Sequence, residues 1–205
     1  MRIAVIGAGT VGVSLAEGFA RAGHEVVVGS RDAGKPAVAA LDGAFDGCIR
    51  VTDYREAVDS AELVVLAVPG RLVVEVAAAI GPDAFGGSVV IDPTNPVVVT
   101  DEGVMSAFAE EDSAAEALQR LLPDAHVVKA FNQIEAEHML DRLPDEKRPM
   151  RVAGDDEPGK ALVTGLLESF GWKVRDLGPL SRARALERGA VEWMAGQWRA
   201  GHGSE

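Results

Sequence analysis

The stretch "RIAVIGAGTVG", residues 2–12, decides the fold that this sequence predicts. An apolar β-strand runs into glycines at positions 7, 9 and 12, and a helix-forming segment follows, which is the context that makes a G-x-G-x-x-G pattern informative. Gly7 permits a tight turn, Gly9 lets the backbone approach a pyrophosphate, and Gly12 lets the helix lie close to the sheet. The helix N-terminus adds free N–H groups and a partial positive charge. The stretch therefore predicts a dinucleotide-binding turn rather than an ordinary strand-to-helix connection.

The second predicted strand ends in residues that bear on the choice of dinucleotide. Its sequence "VVVGSRD", residues 26–32, offers a hydroxyl and a guanidinium where an NAD-binding strand usually ends in an acid. An acid there repels the 2′-phosphate of NADP, whereas Ser30 and Arg31 would bind it, with Lys35 in reach of the same phosphate. Asp32 is expected to point away or to cap the next helix. The sequence therefore favours NADP over NAD.

Apolar runs alternate with helix-patterned segments along the chain, as in a series of βαβ units. The predicted strands are residues 2–6, 25–29, 49–51, 63–67, 88–91, 126–130, 151–154 and 173–176. The predicted helices are residues 11–22, 35–41, 54–59, 71–80, 114–121, 158–170 and 181–198. The strands read as continuous hydrophobic runs, which is typical of strands buried on both faces. The predicted fold class is α/β, a Rossmann-type doubly wound, mostly parallel sheet with helices on both faces and a short C-terminal αβ extension.

The chain length fits one substantial core, because 47% of its 205 residues are apolar. Residues 1–140 are predicted to form an NADP-binding Rossmann domain. The charged, proline-bearing loop "DRLPDEKRPM", residues 141–150, is the expected boundary. Residues 141–205 would form a small αβ extension, packed on the same sheet or as a small lobe.

Three later strand ends carry residues that could hold the nicotinamide, because ligands of doubly wound sheets bind outside the carboxyl ends of the strands. Val68 and Pro69 would give an apolar, rigid surface after the fourth strand. In "DPTNPV", residues 92–97, two prolines stiffen a loop in which Thr94 and Asn95 present donors and acceptors. Asn132 has the same relation to the next strand. Each residue type also occurs as a simple turn former, but three such loops at one edge favour a site.

The candidate cofactor contacts lie in the glycine-rich turn, at the end of the second strand and in these three loops. They are Gly7, Gly9, Thr10, Val11, Gly12, Ser30, Arg31, Lys35, Val68, Pro69, Thr94, Asn95, Pro96, Ala130 and Asn132.

In this order, the glycine-rich start, "VVVGSRD", "LAVP", "DPTNP" and "VVKAFN" resemble the NADPH-dependent reductases of the deazaflavin coenzyme F-420 (F420 below), a group with many small dinucleotide-binding proteins. The resemblance extends through "GPLSRARALE" near the C-terminus. A similar cofactor domain, including "VVKAFN", occurs in membrane metalloreductases, in which NADPH reduces a flavin that passes electrons to haem and metal. The resemblance implies NADP(H) as cofactor and F420 or a flavin as co-substrate.

The capped helix that begins after "EEDS", residues 110–113, is the region that the resemblance places beside the substrate pocket. The candidate substrate contacts are therefore Thr94, Asn95, Ser113, Ala114 and Asn132.

No catalytic residue is predicted, because two bound rings exchange a hydride through orientation and the cofactors carry the reaction themselves. The pairing of His138 with Glu135 is better explained as part of a surface helix. The sequence offers no nucleophilic triad and no metal-ligand spacing.

Two groups of residues have both a structural and a functional interpretation. The tryptophans, Trp172, Trp193 and Trp198, could stack on a flavin-like ring, but their positions near the terminal helix favour a core or dimer interface. The basic residues of the C-terminal third are interpreted as solvated helix faces, with a basic rim for an anionic substrate as the alternative. They are Lys173, Arg175, Arg182, Arg184 and Arg188.

Composition restricts the partners and the compartment. The net charge of −12 opposes binding to nucleic acid or an anionic membrane. No apolar run reaches the roughly 18–20 residues of a membrane-spanning helix. A single cysteine, Cys48, cannot form an internal disulfide, which fits a reducing cytoplasm. We expect a cytoplasmic protein that acts on a small-molecule electron acceptor, and the apolar terminal helix allows a homodimer.

The first hypothesis is thus an NADP-dependent oxidoreductase, similar to F420:NADP oxidoreductases, that moves a hydride between NADPH and a deazaflavin or flavin. The second is an NADP-binding redox sensor that changes partner or shape with cofactor occupancy and has no turnover. An imine or β-hydroxyacid reductase is less favoured, since such enzymes usually carry a long helical domain that this sequence lacks.

Overall fold

The computed structural model describes residues 1–59, 61–140 and 148–202. The strands are β1 (Arg2–Ile6), β2 (Glu25–Gly29), β3 (Ile49–Thr52), β4 (Leu63–Leu66), β5 (Val89–Asp92), β6 (Val97–Thr100), β7 (Gly103–Ser106), β8 (His126–Lys129), β9 (Met150–Gly154) and β10 (Val174–Asp176). The α-helices are α1 (Thr10–Arg21), α2 (Pro36–Ala39), α3 (Ala44–Gly47), α4 (Tyr54–Val58), α5 (Val73–Ile80), α6 (Ala114–Leu121), α7 (Glu157–Ser169) and α8 (Ala183–His202). None of these helices is long and apolar enough to cross a membrane.

Eight of the described strands form one sheet in the order β10-β9-β8-β5-β4-β1-β2-β3. Neighbouring strands are parallel except for β8 and β9, which are antiparallel. From β1 the chain adds β2 and β3 on one side of the sheet, and it then returns to add β4 on the other side of β1. The point between β1 and β4 is therefore the topological switch point, where doubly wound sheets bind ligands. The predicted doubly wound, mostly parallel sheet is confirmed.

Alternate residues of the central strands enter two separate hydrophobic cores, one on each face of the sheet. In β1, Ile3 and Val5 face the core that also contains Phe19 of α1 and Leu167 of α7. The alternate residues Ala4 and Ile6 face the other core, which is completed by α4, α5 and α6. Because both faces are covered, the strands are apolar throughout, as the sequence indicated.

The hairpin formed by β6 and β7 was not predicted, because each arm has only four residues and follows the polar loop assigned to the nicotinamide. It forms a two-stranded sheet of its own. The second predicted helix, residues 35–41, is shorter in the structure, where α2 is Pro36–Ala39.

The strands that follow residue 147 extend the main sheet, β9 beside β8 and β10 at the edge. Most of the predicted boundary loop, residues 141–147, lies outside the described residues. The division into residues 1–140 and 141–205 stays a prediction.

Candidate functional site

The glycine-rich turn connects β1 to α1 at the switch point of the sheet. Gly7 has φ +111°, and a Cβ there would lie 2.4 Å from the carbonyl oxygen of Ala67. A Cβ on Gly12 would lie 1.9 Å from the carbonyl oxygen of Gly7. Gly9 differs, because it is exposed and an added Cβ would meet no atom within 4 Å. Two glycines therefore close the turn, and the third leaves open space in front of the α1 N-terminus, where a pyrophosphate fits.

A first cavity of about 310 Å³ lies beside this turn, and we call it the adenosine cavity. Ser30, Arg31 and Lys35 line it together with Gly7 and Gly9. The side chains of Arg31 and Lys35 are exposed and pair with no carboxylate of the described residues. Two free cations at the end of β2 fit the extra phosphate of NADP.

Asp32 lines the adenosine cavity and closes the local turn, so it neither points away from the site nor caps a helix, the two alternatives that the sequence predicted. Its Oδ1 accepts the N–H of Gly34 at 3.2 Å, and α2 begins at Pro36 after Lys35, an N-cap residue that makes no side-chain cap. The Oγ of Ser30 accepts the N–H of Asp32 at 3.2 Å, so the Ser30 hydroxyl still has its hydrogen to donate. The carboxylate is thus engaged beside the two cations.

Two further residues of the adenosine cavity were missed by the sequence reasoning, Val38 and Tyr54. Tyr54 is the first residue of α4 and follows the carboxyl end of β3. That position is the available signal, since all parallel strands of the sheet end at this edge. An aromatic and an aliphatic side chain suit the faces of an adenine ring.

A second cavity of about 430 Å³ continues from the first and shares Gly9, Val68 and Pro69 with it. We call it the nicotinamide cavity. It brings together seven of the predicted cofactor contacts outside the adenosine corner. They are Thr10, Val11, Val68, Pro69, Thr94, Asn95 and Asn132.

The Thr94 hydroxyl is the most informative atom of the nicotinamide cavity. Thr94 is only 6% exposed, and its Oγ1 is buried without a hydrogen-bond partner among the described residues. An unpaired buried hydroxyl is costly, and at the wall of a cavity it can be satisfied by an ordered water or by a polar ligand group. The carboxamide of nicotinamide is such a group.

The two asparagines of this cavity lock the loops after β5 and β8 to each other. Asn95 Nδ2 donates to the Asn132 carbonyl at 2.9 Å, and Asn132 Nδ2 donates to Asn95 Oδ1 at 2.9 Å. Asn132 Nδ2 also reaches the carbonyl of Leu186 in α8 at 3.2 Å. The buried Phe131 just before has φ +67°, a conformation that costs a non-glycine residue about 1–2 kcal/mol. The described contacts thus hold a strained backbone that turns Asn132 into the site.

Pro96 and Ala130, two predicted cofactor contacts, are buried and line neither cavity. They lie in the loops that carry Asn95 and Asn132. Their direct contact with the cofactor stays a prediction.

A buried ionic network contacts the backbone of the loop after β5. Lys129 is fully buried, and its Nζ donates to Asp92 Oδ2 at 2.8 Å and to Glu187 Oε1 at 2.7 Å. The third acceptor is the carbonyl oxygen of Thr94 at 2.6 Å. The sequence reasoning did not foresee this network. The sequence does contain one indication of the network, because each of two apolar strands, β5 and β8, ends in a charged residue.

The electrostatics of the network keep Lys129 charged. Burial alone would lower the pKa of Lys129, but the Asp92 and Glu187 carboxylates raise it above its usual value. Burial raises the pKa of Glu187, and Lys129 opposes this effect. Glu187 Oε2 also accepts the N–H of Ala114 at 3.0 Å, at the positive end of α6. One ammonium and a helix N-terminus thus compensate two buried carboxylates.

Ser113 and Ala114, two predicted substrate contacts, are buried at the start of α6. Ser113 Oγ accepts the N–H of Glu116 at 3.2 Å and donates to its Oε2 at 2.8 Å, so Ser113 is the side-chain N-cap of α6. Neither residue lines the cavities described above. Their contact with substrate stays a prediction.

A third cavity of about 370 Å³ adjoins the nicotinamide cavity, with which it shares Asn95, Asn132 and Ile134. We call it the acceptor cavity. Helix α8 supplies Trp193 and Met194 to its wall, and Trp193 is 61% exposed. Trp172 is different, because it is buried and donates its Nε1–H to the Met139 carbonyl at 2.7 Å.

His138, the remaining candidate for acid–base chemistry, lines none of these cavities. The Nε2 of His138 lies 3.9 Å from Oε1 of Glu137, and Glu135, its expected partner, lines the acceptor cavity instead. The described residues contain no group of three or more His, Cys, Asp and Glu side chains that could hold a metal ion.

Comparison with known proteins identifies similar sequences and structures. Residues 2–96 match the family described as NADP oxidoreductase coenzyme F420-dependent. The chain is 33% identical to the F420-dependent NADP reductase of Methanothermobacter marburgensis, over 92% of this chain and 88% of that protein. It is 31% identical to Metalloreductase STEAP3 of Rattus norvegicus over 91% of this chain, but it spans only 36% of that protein. A crystal structure of a putative F420-dependent NADP-reductase from Arthrobacter sp. FB24 superposes with a TM-score of 0.87 and 31% identity, over 98% of this chain and 94% of the other.

Proposed function

Because the chain belongs to the family of coenzyme F420-dependent NADP oxidoreductases, we propose that it transfers a hydride between NADPH and the deazaflavin ring of F420. The observation that carries the proposal is the continuity of the three cavities. Each shares residues with the next, from the cations at Arg31 and Lys35 to the exposed Trp193. Two ring-bearing cofactors can therefore meet at the loops of Asn95 and Asn132.

We propose that the predicted contacts hold NADPH along the first two cavities. Ser30, Arg31 and Lys35 would bind the 2′-phosphate, and the N-terminus of α1 at Gly9 would bind the pyrophosphate. The unpaired Thr94 hydroxyl would bond the carboxamide. These assignments account for the free cations, the open space at Gly9 and the orphaned hydroxyl.

The chain's own residues orient the two rings. The Asn95–Asn132 amide pair fixes the two loops, and the Lys129 network fixes the backbone of Thr94. Val68 and Pro69 present an apolar surface to the nicotinamide cavity. When bound, NADPH supplies the hydride, the deazaflavin ring accepts it with one proton from water, and the pair carries the electron chemistry. Orientation of this kind contributes several orders of magnitude in rate without a protein acid.

The decisive experiment mixes the purified protein with NADPH and F420, FMN or FAD and follows the nicotinamide absorbance. We expect oxidation with F420, and slower or no oxidation with the flavins. Oxidation with a flavin but not with F420 would move the acceptor assignment to flavins. Tight NADPH binding without oxidation by any acceptor would contradict the proposal and favour the redox sensor.

We propose further properties of the protein. A cytoplasmic location agrees with the single cysteine, and the absence of a nucleic-acid partner agrees with the net charge of −12. Exposed apolar side chains at Val99, Met105 and Trp193 support a homodimer, which light scattering would test. We also propose that residues 1–140 form the dinucleotide-binding domain and residues 141–205 its extension, since β9 and β10 continue the same sheet.

A further inference from the structure

A fourth cavity of about 300 Å³ adjoins the acceptor cavity, and we call it the arginine cavity. Arg148, Arg151 and Arg175 line it, over an apolar floor that includes Met150 and Trp172. It shares Gln133, Ile134, Arg148 and Arg151 with the acceptor cavity. A ligand with its ring in the acceptor cavity can therefore extend a substituent into the arginine cavity.

Two of these arginines are held side by side by the sheet. Arg151 of β9 and Arg175 of β10 are direct partners in the parallel register. Residues paired in this way sit on neighbouring strands about 4.8 Å apart and project to the same face. Like charges that face each other across strands destabilise a sheet. The arrangement is therefore a cost unless an anion relieves it.

No carboxylate of the described residues relieves it. Arg151 Nε donates to the neutral Gln133 Oε1 at 2.7 Å, and the Arg175 side chain has no partner in the described part of the chain. By contrast, Arg50, Arg55 and Arg120 each pair with a carboxylate. The sequence has 32 acidic and 20 basic residues, so carboxylates are in excess. An arginine pair that lacks one in such a chain is suited to bind an anion from outside.

We propose that the arginine cavity binds the oxyanions of the hydride acceptor's side chain, phosphate or carboxylate, while the ring lies in the acceptor cavity. This inference rests on the proposed function. Guanidinium groups suit both oxyanions because they donate two parallel hydrogen bonds. Two sources carry this chemistry: the chain of F420, with its phosphodiester and glutamate carboxylates, and the phosphate of FMN. Of the basic rim that the sequence predicts as an alternative, only Arg175 lines this cavity. The other two arginines, Arg148 and Arg151, were not part of that cluster.

The contact lies away from the reacting atoms, so it contributes affinity equally before and during hydride transfer. Its loss is expected to raise KM for the acceptor and leave kcat unchanged. Salt is expected to raise the KM of a charged acceptor in the wild-type protein, because screening weakens exposed charge pairs.

The test uses Arg175→Gln, because this side chain has no partner among the described residues whose loss would disturb the fold. The matched control is Arg182→Gln, an exposed arginine of the same C-terminal cluster that does not line the arginine cavity. Acceptors are compared in pairs that differ in charge: F420 against its deazaflavin alcohol without the phosphodiester chain, and FMN against riboflavin. We expect Arg175→Gln to raise KM for the charged member about three- to ten-fold, with no change for the uncharged one.

The outcomes distinguish F420 from FMN as the source of the anion, and they test the arginine cavity separately from the proposed function. A KM change confined to F420, or to FMN, identifies which anionic chain the arginines bind. Equal changes for charged and uncharged acceptors, or none, would overturn the inference while leaving the proposed function intact. If no acceptor oxidises NADPH, F420 binding is measured by its fluorescence in the presence of NADP+. Weaker binding to Arg175→Gln then supports the arginine cavity although the proposed function fails, and unchanged or undetectable binding overturns both.

Discussion

At the scale of single residues, Lys129 shows how a buried charge is retained beneath a ligand site. A buried charge is tolerated when it is paired and all its hydrogen bonds are made. Lys129 meets both conditions, because its three donors reach Asp92, Glu187 and the Thr94 carbonyl. The same bonds connect β5, β8 and α8 at the point where the nicotinamide cavity lies.

Removing this ammonium is expected to be strongly destabilising. Lys129→Met leaves two buried carboxylates without their cation, and we expect the free energy of unfolding to fall by about 3–5 kcal/mol. Denaturant titration measures it. The control is Lys160→Met, whose carboxylate partners Glu157 and Asp176 are exposed, and for which about 1 kcal/mol or less is expected. Equal losses in the two variants would show that the buried network has no special role.

Arg31 is the residue on which preference for NADP depends. Arg31→Asp replaces a cation by an anion beside the 2′-phosphate, so we expect the Kd for NADPH to rise about 100-fold or more and the Kd for NADH to change little. Calorimetric titration with both nucleotides measures the two constants. Arg182→Asp, remote from the adenosine cavity, serves as the control for charge alone. Equal losses for NADPH and NADH would show that the phosphate is bound elsewhere.

At the scale of elements, α6 and α8 depend on each other through their charged side chains. Glu116 accepts two hydrogen bonds from Arg184, at 2.7 and 2.6 Å, and Glu187 of α8 accepts the first N–H groups of α6. The basic residues of the C-terminal third therefore do not all face solvent, because Arg184 pairs with Glu116 across this helix pair. The solvated-face interpretation holds for their exposed members only.

A substitution at the cap of α6 distinguishes a structural role of Ser113 from a role in substrate binding. Ser113→Ala removes the side chain that accepts the N–H of Glu116, and we expect the free energy of unfolding to fall by about 1 kcal/mol. The KM for the acceptor is expected to stay unchanged. Asp156→Ala, which removes the equivalent cap of α7, is the matched control. A raised acceptor KM in Ser113→Ala alone would instead establish Ser113 as a substrate contact.

At the scale of the whole molecule, the four cavities form one connected row. At each end lie cations that pair with no carboxylate of the described residues. Arg31 and Lys35 mark the adenosine end, and Arg151 and Arg175 mark the other. Elsewhere in the described residues, ion pairs neutralise many of the cations. In a chain with a net charge of −12, this distribution directs anionic cofactors to the row of cavities.

The same ion pairs predict how stability depends on pH. The hydrogen bond from Thr52 and then Arg50 lowers the pKa of Glu56, Arg120 lowers that of Asp112, and Arg184 lowers that of Glu116. Because these folded-state values lie below the unfolded ones, near 4, the stability they contribute is present above about pH 4 and is lost as the pH falls further. Glu187 has the opposite sign, since its raised pKa favours the folded state at low pH. More of these carboxyl groups have a lowered pKa than a raised one, so acid is expected to destabilise the protein.

Thermal unfolding at a series of pH values measures this dependence. We expect Tm to be nearly constant from about pH 7 to 5 and to fall steeply below about pH 4. Glu116→Gln should flatten the fall, whereas Glu102→Gln, in the exposed turn of the β6–β7 hairpin, should not. A Tm that rises below pH 4 would contradict the sign argued here.

The sequence by itself determined the features that contiguous residues encode. The glycine turn, the cationic end of β2 and the order of strands and helices each follow from local rules of backbone conformation and periodicity, and the structure confirms the sheet that they predict. The residues of the three loops could also be predicted, because parallel strands all end at the same edge.

Only the tertiary structure decided which side chains meet across that edge. Lys129 is separated by 37 positions from Asp92 and by 58 from Glu187, and no local pattern relates them. The Arg151–Arg175 pair depends on the register of two strands joined through α7, and the orphaned Thr94 hydroxyl depends on burial. Local conformation is set by neighbours in sequence, whereas pairing, burial and pKa are set by neighbours in space, which exist only once the sheet has formed.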